Sequence, residues 1–199
     1  MGLTIKYEKG QTPLNEEEKE GLLISSITTK EELDEFEQQN IEKAYEYYLY
    51  RRKFRIDKIL TESFVLQVHV KMFDDVWRWA GQTRYSEKNI GVPWVQIPVK
   101  LRQLLEDCKY WIENESFSEE EISIRLKHRL VAIHIFPNGN GRHSRLMGDI
   151  IMMHIYNKPK FSWGQSNLKN KSDVRNTYIN ALKKADADDY NDLIAFARS

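Results

Sequence analysis

The stretch that decides the fold runs from His134 to Arg145 and reads HIFPNGNGRHSR. A polar loop, Pro137 to Gly141, follows the histidine, and an apolar helix pattern resumes after it. Glycines at 139 and 141 allow backbone conformations that residues with a Cβ avoid, so consecutive N–H groups can converge on an anion. A helix predicted to begin near Asn140 adds its unpaired N–H groups and the positive end of its dipole. The pattern therefore predicts a phosphate-binding loop at a helix start.

Titratable and charged side chains flank this loop on both sides. Arg142 and Arg145 stand one helical turn apart, so their guanidinium groups can reach oxygens of two different phosphates. His134 can accept a proton from an attacking hydroxyl while its imidazole is neutral. The alternative is a purely structural helix-end histidine followed by a tight turn. Proton acceptor, glycine loop and two arginines at this spacing favour a catalytic phosphate site over that alternative.

The same stretch resembles the signature of the Fic/Doc family, H-x-F-x-[D/E]-G-N-G-R-x-x-R. The specified positions match at His134, Phe136, Gly139, Asn140, Gly141, Arg142 and Arg145. Two positions depart from the pattern: Ile135 stands where most of these enzymes have proline, and Asn138 stands where many have the acid that ligates magnesium. The segments GQTPLNEEEKEGLL, residues 10–23, and PNGNGRHSRL, residues 137–146, are similar to a subgroup called mobile mystery protein B. That resemblance covers nearly the whole chain.

The resemblance implies an adenylyltransferase, an enzyme that moves AMP from ATP to a hydroxyl side chain of a target protein. ATP would be the substrate, with Mg²⁺ as its companion, and His134 would be the catalytic base. The nucleotide phosphates would contact Asn138, Gly139, Asn140, Gly141, Arg142 and Arg145. Asn138 would stand at the magnesium-facing position, where a neutral amide holds the cation less tightly than a carboxylate does. Reduced or conditional transfer is therefore expected.

Two other functions stay open. Ile135 is similar to the corresponding residue of Doc, which transfers a phosphate, although Gly141 stands where Doc has a lysine and keeps the α-phosphate accessible. A nucleotide-binding regulator with little catalysis is the other alternative. Asn138 and Asp186 suggest it. The family has a tyrosine at the position of Tyr178 and an asparagine eight residues later, where this chain has Asp186.

Residues 84–98 are predicted to form a β-hairpin. Gly91 and Pro93 interrupt the helical period there, and several β-branched residues favour strands. The resemblance implies that this hairpin is the flap, which adds to the backbone of the target protein and also contacts the nucleotide. Its target contact would be Trp94, and its nucleotide-facing residues would be Asn89, Ile90, Gly91 and Val92. A purely structural hairpin is the alternative.

Two further positions acquire a role only from the resemblance. Tyr178 would contact the base and ribose of the nucleotide, although taken alone such a tyrosine is more often packed in a core. Glu20 and Gly21 match the end of the inhibitory helix pattern [S/T]-x-x-x-E-[G/N], but Glu16 occupies its Ser/Thr position. An ordinary acidic surface helix explains the same run of charges.

The remaining sequence predicts a mainly α protein, a Fic-type helical bundle with a short hairpin flap. Thr29 with Glu32 and Ser118 with Glu121 have the spacing of capping boxes, and Thr61 is predicted to cap another helix. His69 lies on or near the apolar stripe of that helix and is predicted to be packed rather than a ligand. Apolar periodicity predicts helices on both sides of the phosphate loop. Residues 1–28 are predicted to form an N-terminal arm with a short helix begun by Thr12 and Pro13. Residues 29–199 are predicted to form one globular helical domain.

Composition excludes several classes of protein. Thirty basic and thirty acidic side chains in 199 residues cancel, so no direct nucleic-acid binding is expected from a global charge. The single cysteine, Cys108, excludes an internal disulfide and is predicted to be a packed thiol. No stretch approaches the roughly 18 apolar residues of a membrane span, which predicts a cytoplasmic protein without membrane partners. The subgroup's association with mobile genetic elements implies a small DNA-binding protein as partner.

Overall fold

The fold is mainly helical, as the sequence predicts. A computed structural model describes residues 13–164 and 171–199 of the chain. The α-helices are α1 Glu16–Lys19, α2 Lys30–Glu46, α3 Ile56–Ile59, α4 Glu62–Phe73, α5 Ile97–Glu113, α6 Glu119–Ile133, α7 Asn140–His154, α8 Lys171–Asp186 and α9 Asn191–Arg198. A π-helical turn, Tyr47–Arg51, extends α2, and a 3₁₀ turn, Trp94–Gln96, leads into α5.

The two helices on either side of the predicted loop, α6 and α7, pack against each other at the centre of the molecule. Their apolar stripes are fully or nearly fully buried, which confirms the predicted periodicity; the buried residues include Ile122, Leu126, Leu130, Ile133, Leu146, Met147, Ile150 and Ile151. Helix α5 packs against α6, α4 packs against α7, and α2 packs against α4; α9 packs against both α6 and α8. The loop between α6 and α7 is thus held from both ends by the core.

Local capping explains where the helices begin. The Thr29 side chain accepts from Glu32 N, and the Glu32 carboxylate accepts from Thr29 N, which confirms the predicted capping box. Thr61 caps α4 as predicted. Ser118 caps α6, but the predicted capping box is only half formed, because the Glu121 carboxylate accepts from Arg125 Nε instead of Ser118 N. Each such cap contributes about 1 kcal/mol to stability.

The predicted start of the first helix is wrong. Its N-cap is Asn15, whose side chain accepts from Glu18 N at 2.8 Å while the Glu18 carboxylate accepts from Asn15 N at 2.8 Å. This reciprocal pair satisfies two backbone donors at once, so it fixes the start of α1 behind Pro13. Thr12 lies outside the described residues.

The predicted β-hairpin over residues 84–98 is also wrong in its secondary structure. The segment contains no strand, and its last residues already belong to the 3₁₀ turn and α5. Within the described parts of the chain, the only isolated β-bridge joins Leu22 to Trp77. The reason is tertiary: the buried Arg84 guanidinium takes the carbonyl oxygens of Ser86 and Val92, which a hairpin would use for cross-strand pairing.

Two packing predictions have clear outcomes. His69 and Cys108 are both fully buried, as predicted. Burial raises the pKa of the Cys108 thiol to about 12, so this side chain behaves as a packed hydrophobic group at neutral pH. None of the helices described has both the length and the apolar character needed to cross a membrane.

Candidate active site

His134 ends α6 in a left-handed conformation, with φ 57° and ψ 64°. Such a conformation is uncommon for a residue with a side chain and turns the chain sharply into the loop. The residue is 4 % exposed. Burial, and then the positive charges of Arg84 and Lys88, lower the pKa of His134 to about 4. The imidazole is therefore neutral at pH 7, in the form that can accept a proton.

Arg84 supports this histidine, and no pattern in the sequence indicated that role. Its side chain is 1 % exposed. Its Nε donates to His134 O at 2.6 Å, and its backbone N donates to Ile135 O at 2.9 Å. Because the same guanidinium also binds Ser86 O and Val92 O, Arg84 ties the 84–98 segment to the turn at His134.

The two loop glycines have different roles. Gly139 has φ 78°, and a Cβ there would lie 2.6 Å from two ring carbons of Phe73, so the predicted need for glycine is confirmed. Gly141 lies inside the first turn of α7, so the prediction of a special backbone conformation is wrong for it. A Cβ at Gly141 would meet nothing within 4 Å. The second glycine therefore leaves open space beside the helix start, where the first N–H groups have no intrahelical acceptor.

Buried polar side chains hold the loop in shape. The Asn140 side chain accepts from Phe136 N at 2.9 Å and donates to Phe136 O at 2.8 Å. The Phe136 ring stacks on His69 with 3.6 Å between ring centres. His69 Nδ1 accepts from Gly81 N at 2.9 Å, so its Nε2 must carry the proton that it donates to Asn138 O at 3.1 Å. His69 was predicted only as a packed residue, but it also fixes the loop.

Arg142 turns toward α2 and meets a carboxylate. Its Nη1 donates to Glu37 Oε2 at 2.5 Å, and Glu37 Oε1 accepts from Trp77 Nε1 at 2.6 Å. Glu37 is 5 % exposed, and Arg142 Nη2 lies 3.5 Å from Asn138 Oδ1. Sequence reasoning missed this pair because Glu37 and Arg142 are 105 positions apart in the chain.

Comparison with known proteins identifies the domain that this loop belongs to. The model of the Fic/DOC family matches residues 59–152, which include the whole His134–Arg145 stretch. Residues 59–152 therefore match a Fic/DOC family domain. The structural evidence agrees, because solved Fic domains have the same fold.

Three solved structures illustrate the likeness. BepC from Bartonella tribocorum, solved with bound AMPPNP, has a TM-score of 0.67 at 14 % identity, covering 92 % of this chain and 97 % of that one. A Fic domain from Bartonella quintana with bound ADP has a TM-score of 0.63 at 17 % identity, covering 87 % and 86 %. Fic-1 from C. elegans has a TM-score of 0.62 at 18 % identity; 90 % of this chain matches half of that one.

The predicted magnesium-facing residue of this Fic domain is Asn138. Asn138 Oδ1 accepts from Gly139 N at 2.6 Å, so the amide is turned onto its own loop. In the part of the chain that the structure describes, no group of three or more His, Cys, Asp or Glu side chains could hold a metal ion. Magnesium at phosphate sites is usually held by one or two carboxylates together with the substrate. The predicted magnesium position here offers only a neutral oxygen.

The 84–98 segment of the Fic domain lies beside His134, as its predicted role requires. Gly91 has φ 108°, and a Cβ there would come within 2.6 Å of His134 Cβ. Val92 N donates to Ile133 O at 3.4 Å. Asn89, Ile90 and Trp94 are exposed, and a cavity of about 300 Å³ opens between this segment, α5 and α6. The segment can therefore contact a bound molecule without being a hairpin.

Arg145 and Tyr178 are brought together on the other side of α7. The Arg145 guanidinium carbon lies 4.9 Å from the ring centre of Tyr178. The Tyr178 hydroxyl accepts from Lys127 Nζ at 2.5 Å, a partner that sequence reasoning missed. Arg142 and Arg145 thus diverge, one toward Glu37 and the other toward Tyr178.

Glu20, the predicted regulatory residue, is exposed at the end of α1. The buried carboxylate of that helix is Glu18, which binds Lys88 Nζ at 2.5 Å. Since α1 packs with its Glu18 side inward, the structure directs a different glutamate toward the 84–98 segment than the one the pattern selects.

Proposed function

We propose that this Fic domain transfers AMP from ATP to a hydroxyl side chain of a target protein. The observation that carries the proposal is the neutral His134 placed directly before a glycine loop and the open start of α7. Two chains of the same fold were solved with AMPPNP and ADP, which supports a nucleotide with at least two phosphates as the ligand.

In the proposed reaction, His134 accepts the proton of the target hydroxyl while the hydroxyl oxygen attacks the α-phosphorus of ATP. A new P–O bond forms, the bond from the α-phosphorus to the bridging oxygen breaks, and pyrophosphate leaves. Preorganised N–H donors stabilise the charge that develops on the phosphate oxygens. The Gly139 N–H already binds Asn138 Oδ1, so the donors are the N–H groups of Asn140 and Gly141. The first intrahelical bond of α7 starts only at His143 N.

The arginines hold the leaving group in this proposal. Arg145, and the part of the Arg142 guanidinium not bound to Glu37, contact the β- and γ-phosphates. Bidentate, charge-assisted contacts of this kind fix a phosphate group in position as well as binding it.

The target protein docks on the 84–98 segment in this proposal. Large apolar side chains are exposed along it and at the start of α5: Tyr85, Ile90, Trp94, Val95 and Val99. A concentration of exposed apolar side chains is typical of protein-binding surfaces. The adjoining cavity, lined by Val92, Leu104 and Ile133, accepts a side chain of the target next to its hydroxyl. From the resemblance to the mobile mystery protein B subgroup, we also propose a small DNA-binding protein as a partner.

Labelled ATP tests the proposed reaction against its alternatives. We expect a cell lysate incubated with the protein to acquire label from ATP labelled at the α-phosphate and none from ATP labelled at the γ-phosphate. Labelling from the γ-phosphate alone would mean phosphate transfer. Binding of ATP without any labelling would mean a nucleotide-binding regulator, for which the Arg142–Glu37 pair and the neutral Asn138 are the supporting observations.

Asn138→Asp tests whether the neutral amide limits the reaction. The aspartate can still accept from Gly139 N, and it adds the charge that a hard cation prefers in a ligand. We expect tighter binding of magnesium–ATP and a transfer rate raised by about 10-fold. Calorimetry and α-label transfer measure the two effects. Asn180→Asp, an exposed change on α8, is the matched control for added charge. An Asn138→Asp protein with the binding and rate of the original would refute this role.

A further inference from the structure

Arg145 is held between two aromatic rings. Its guanidinium carbon lies 4.9 Å from the ring centre of Tyr178 and 5.7 Å from that of Trp163. Tyr178 comes from α8, whereas Trp163 comes from the segment that follows α7. Guanidinium groups bind the faces of aromatic rings by electrostatic attraction and stacking. The two rings therefore restrict where this guanidinium can lie.

Each ring is held at its polar atom by a fully buried charged side chain. Lys127 Nζ donates to the Tyr178 hydroxyl at 2.5 Å. Trp163 Nε1 donates to Asp149 Oδ2 at 3.0 Å, and Phe161 N donates to Asp149 Oδ1 at 2.9 Å. Lys127 and Asp149 both have zero exposure. The rings thus cannot rotate freely around the guanidinium.

Buried charges of this kind are costly, and apolar side chains of similar size would fill the same positions without that cost. Lys127 lies on α6 and Asp149 lies on α7, one turn after Arg145. Tyr178 has two cationic neighbours, Lys127 and Arg145, which lower its pKa although burial opposes this. The hydroxyl therefore serves as an acceptor between two cations, a role that suits positioning more than simple packing.

We propose that Lys127 and Asp149 are positioning residues, which act through Tyr178 and Trp163 to fix the Arg145 guanidinium for the terminal phosphates of the nucleotide. This inference rests on the proposed function. An arginine side chain loses much conformational freedom when it binds a phosphate, and a guanidinium that is already ordered loses less. Arg145 Nε is buried and, among the described residues, has no hydrogen-bond partner, so the rings and the Tyr178 hydroxyl supply the restraint.

The proposal assigns Tyr178 a different role from the base contact that the family resemblance implies. A base-stacking tyrosine would contribute equally to the binding of AMP and ADP, because both carry the same base and ribose. A tyrosine that positions Arg145 contributes only when a β-phosphate is present. The difference between the two nucleotides therefore separates the two roles.

A double-mutant cycle tests the proposal with the full chain. Calorimetry gives the Kd of ADP and of AMP for the wild type, Tyr178→Phe, Arg145→Ala and the double variant. Tyr178→Phe keeps the ring and removes the hydroxyl that Lys127 holds. We expect about 10-fold weaker ADP binding for Tyr178→Phe, and no further loss when the change is added to Arg145→Ala. AMP binding should change by less than about twofold.

Two more variants make the test specific. Lys127→Met removes the ammonium at similar volume and should reproduce the Tyr178→Phe result. Tyr190→Phe removes another buried hydroxyl, the one bonded to His128, and should leave ADP binding unchanged. Thermal unfolding of each variant verifies that it is folded.

Several results would overturn the proposal. It fails if Tyr178→Phe weakens ADP equally with and without Arg145, if it weakens AMP as much as ADP, or if it has no effect. These results leave the proposed function intact when the wild type binds ADP and transfers the α-label. A wild type that binds no ADP would overturn both proposals.

Discussion

His134→Ala is expected to slow AMP transfer by about 10²- to 10⁴-fold, the usual contribution of a general base, while ATP remains bound. The reason is that the imidazole is neutral, with a pKa of about 4, and lies directly before the loop. The N–H donors of the loop belong to the backbone, so the exchange does not remove them. Transfer of α-label to target protein measures the rate, and calorimetry measures ATP binding.

The left-handed backbone at position 134 calls for a second variant. An alanine held at φ 57° is strained by roughly 1–2 kcal/mol relative to the right-handed helical region, whereas asparagine adopts the left-handed region more readily. His134→Asn therefore removes the proton acceptor with less strain and should show the same loss of transfer. His128→Asn, on the same helix and bonded to Asp186, is the control and should keep full transfer. Transfer by both His134 variants within threefold of the wild type would refute the role of the imidazole.

Gly139→Ala and Gly141→Ala are expected to have opposite effects on stability. At Gly139 the new Cβ meets the fully buried Phe73 ring at 2.6 Å, and the backbone has φ 78°. Strain and overpacking together should cost about 2–4 kcal/mol, which lowers Tm by roughly 5–15 °C for a chain of this size. At Gly141 the new Cβ meets nothing and the backbone is helical, so Tm should stay the same or rise slightly.

Both glycine variants should nevertheless lose nucleotide binding. Gly139→Ala distorts the loop, and Gly141→Ala puts a methyl group into the open space where the phosphates are proposed to lie. We expect ADP affinity to fall by about 10-fold or more in the folded Gly141→Ala protein, since a displaced phosphate loses charge-assisted hydrogen bonds. Thermal unfolding and ADP titration give the two quantities. Normal ADP binding by Gly141→Ala would show that this space is not the phosphate site.

The central part of the fold could be predicted because its signals are local. Apolar residues at helical spacing predicted α6 and α7, and the polar glycine loop between them predicted where the first ends and the second begins. The capping box of Thr29 and Glu32 needs only residues three apart, so it could also be read from the sequence. The proposed catalytic stretch, His134 to Arg145, is a single run of the chain and could be recognised for the same reason.

The remaining features depend on contacts between distant parts of the chain. Local β-propensity predicted a hairpin at 84–98, but the Arg84 guanidinium takes the carbonyl groups that strands would need. The Arg142–Glu37 pair and the Lys127–Tyr178 pair join residues far apart in sequence, and each involves a side chain whose burial no local pattern indicates. Gly141 was misread because a glycine in the first turn of a helix looks, in sequence, like a glycine that bends a loop.

The central claim is that the His134 imidazole and the N–H groups at the start of α7 face the same nucleotide. A crystal structure of the chain with a non-hydrolysable ATP analogue tests this claim most directly. We expect phosphate oxygens within hydrogen-bond distance of Asn140 N and Gly141 N, and the α-phosphorus on the side of the loop where His134 lies. A nucleotide bound elsewhere, or a loop that stays empty at saturating analogue, would contradict the account.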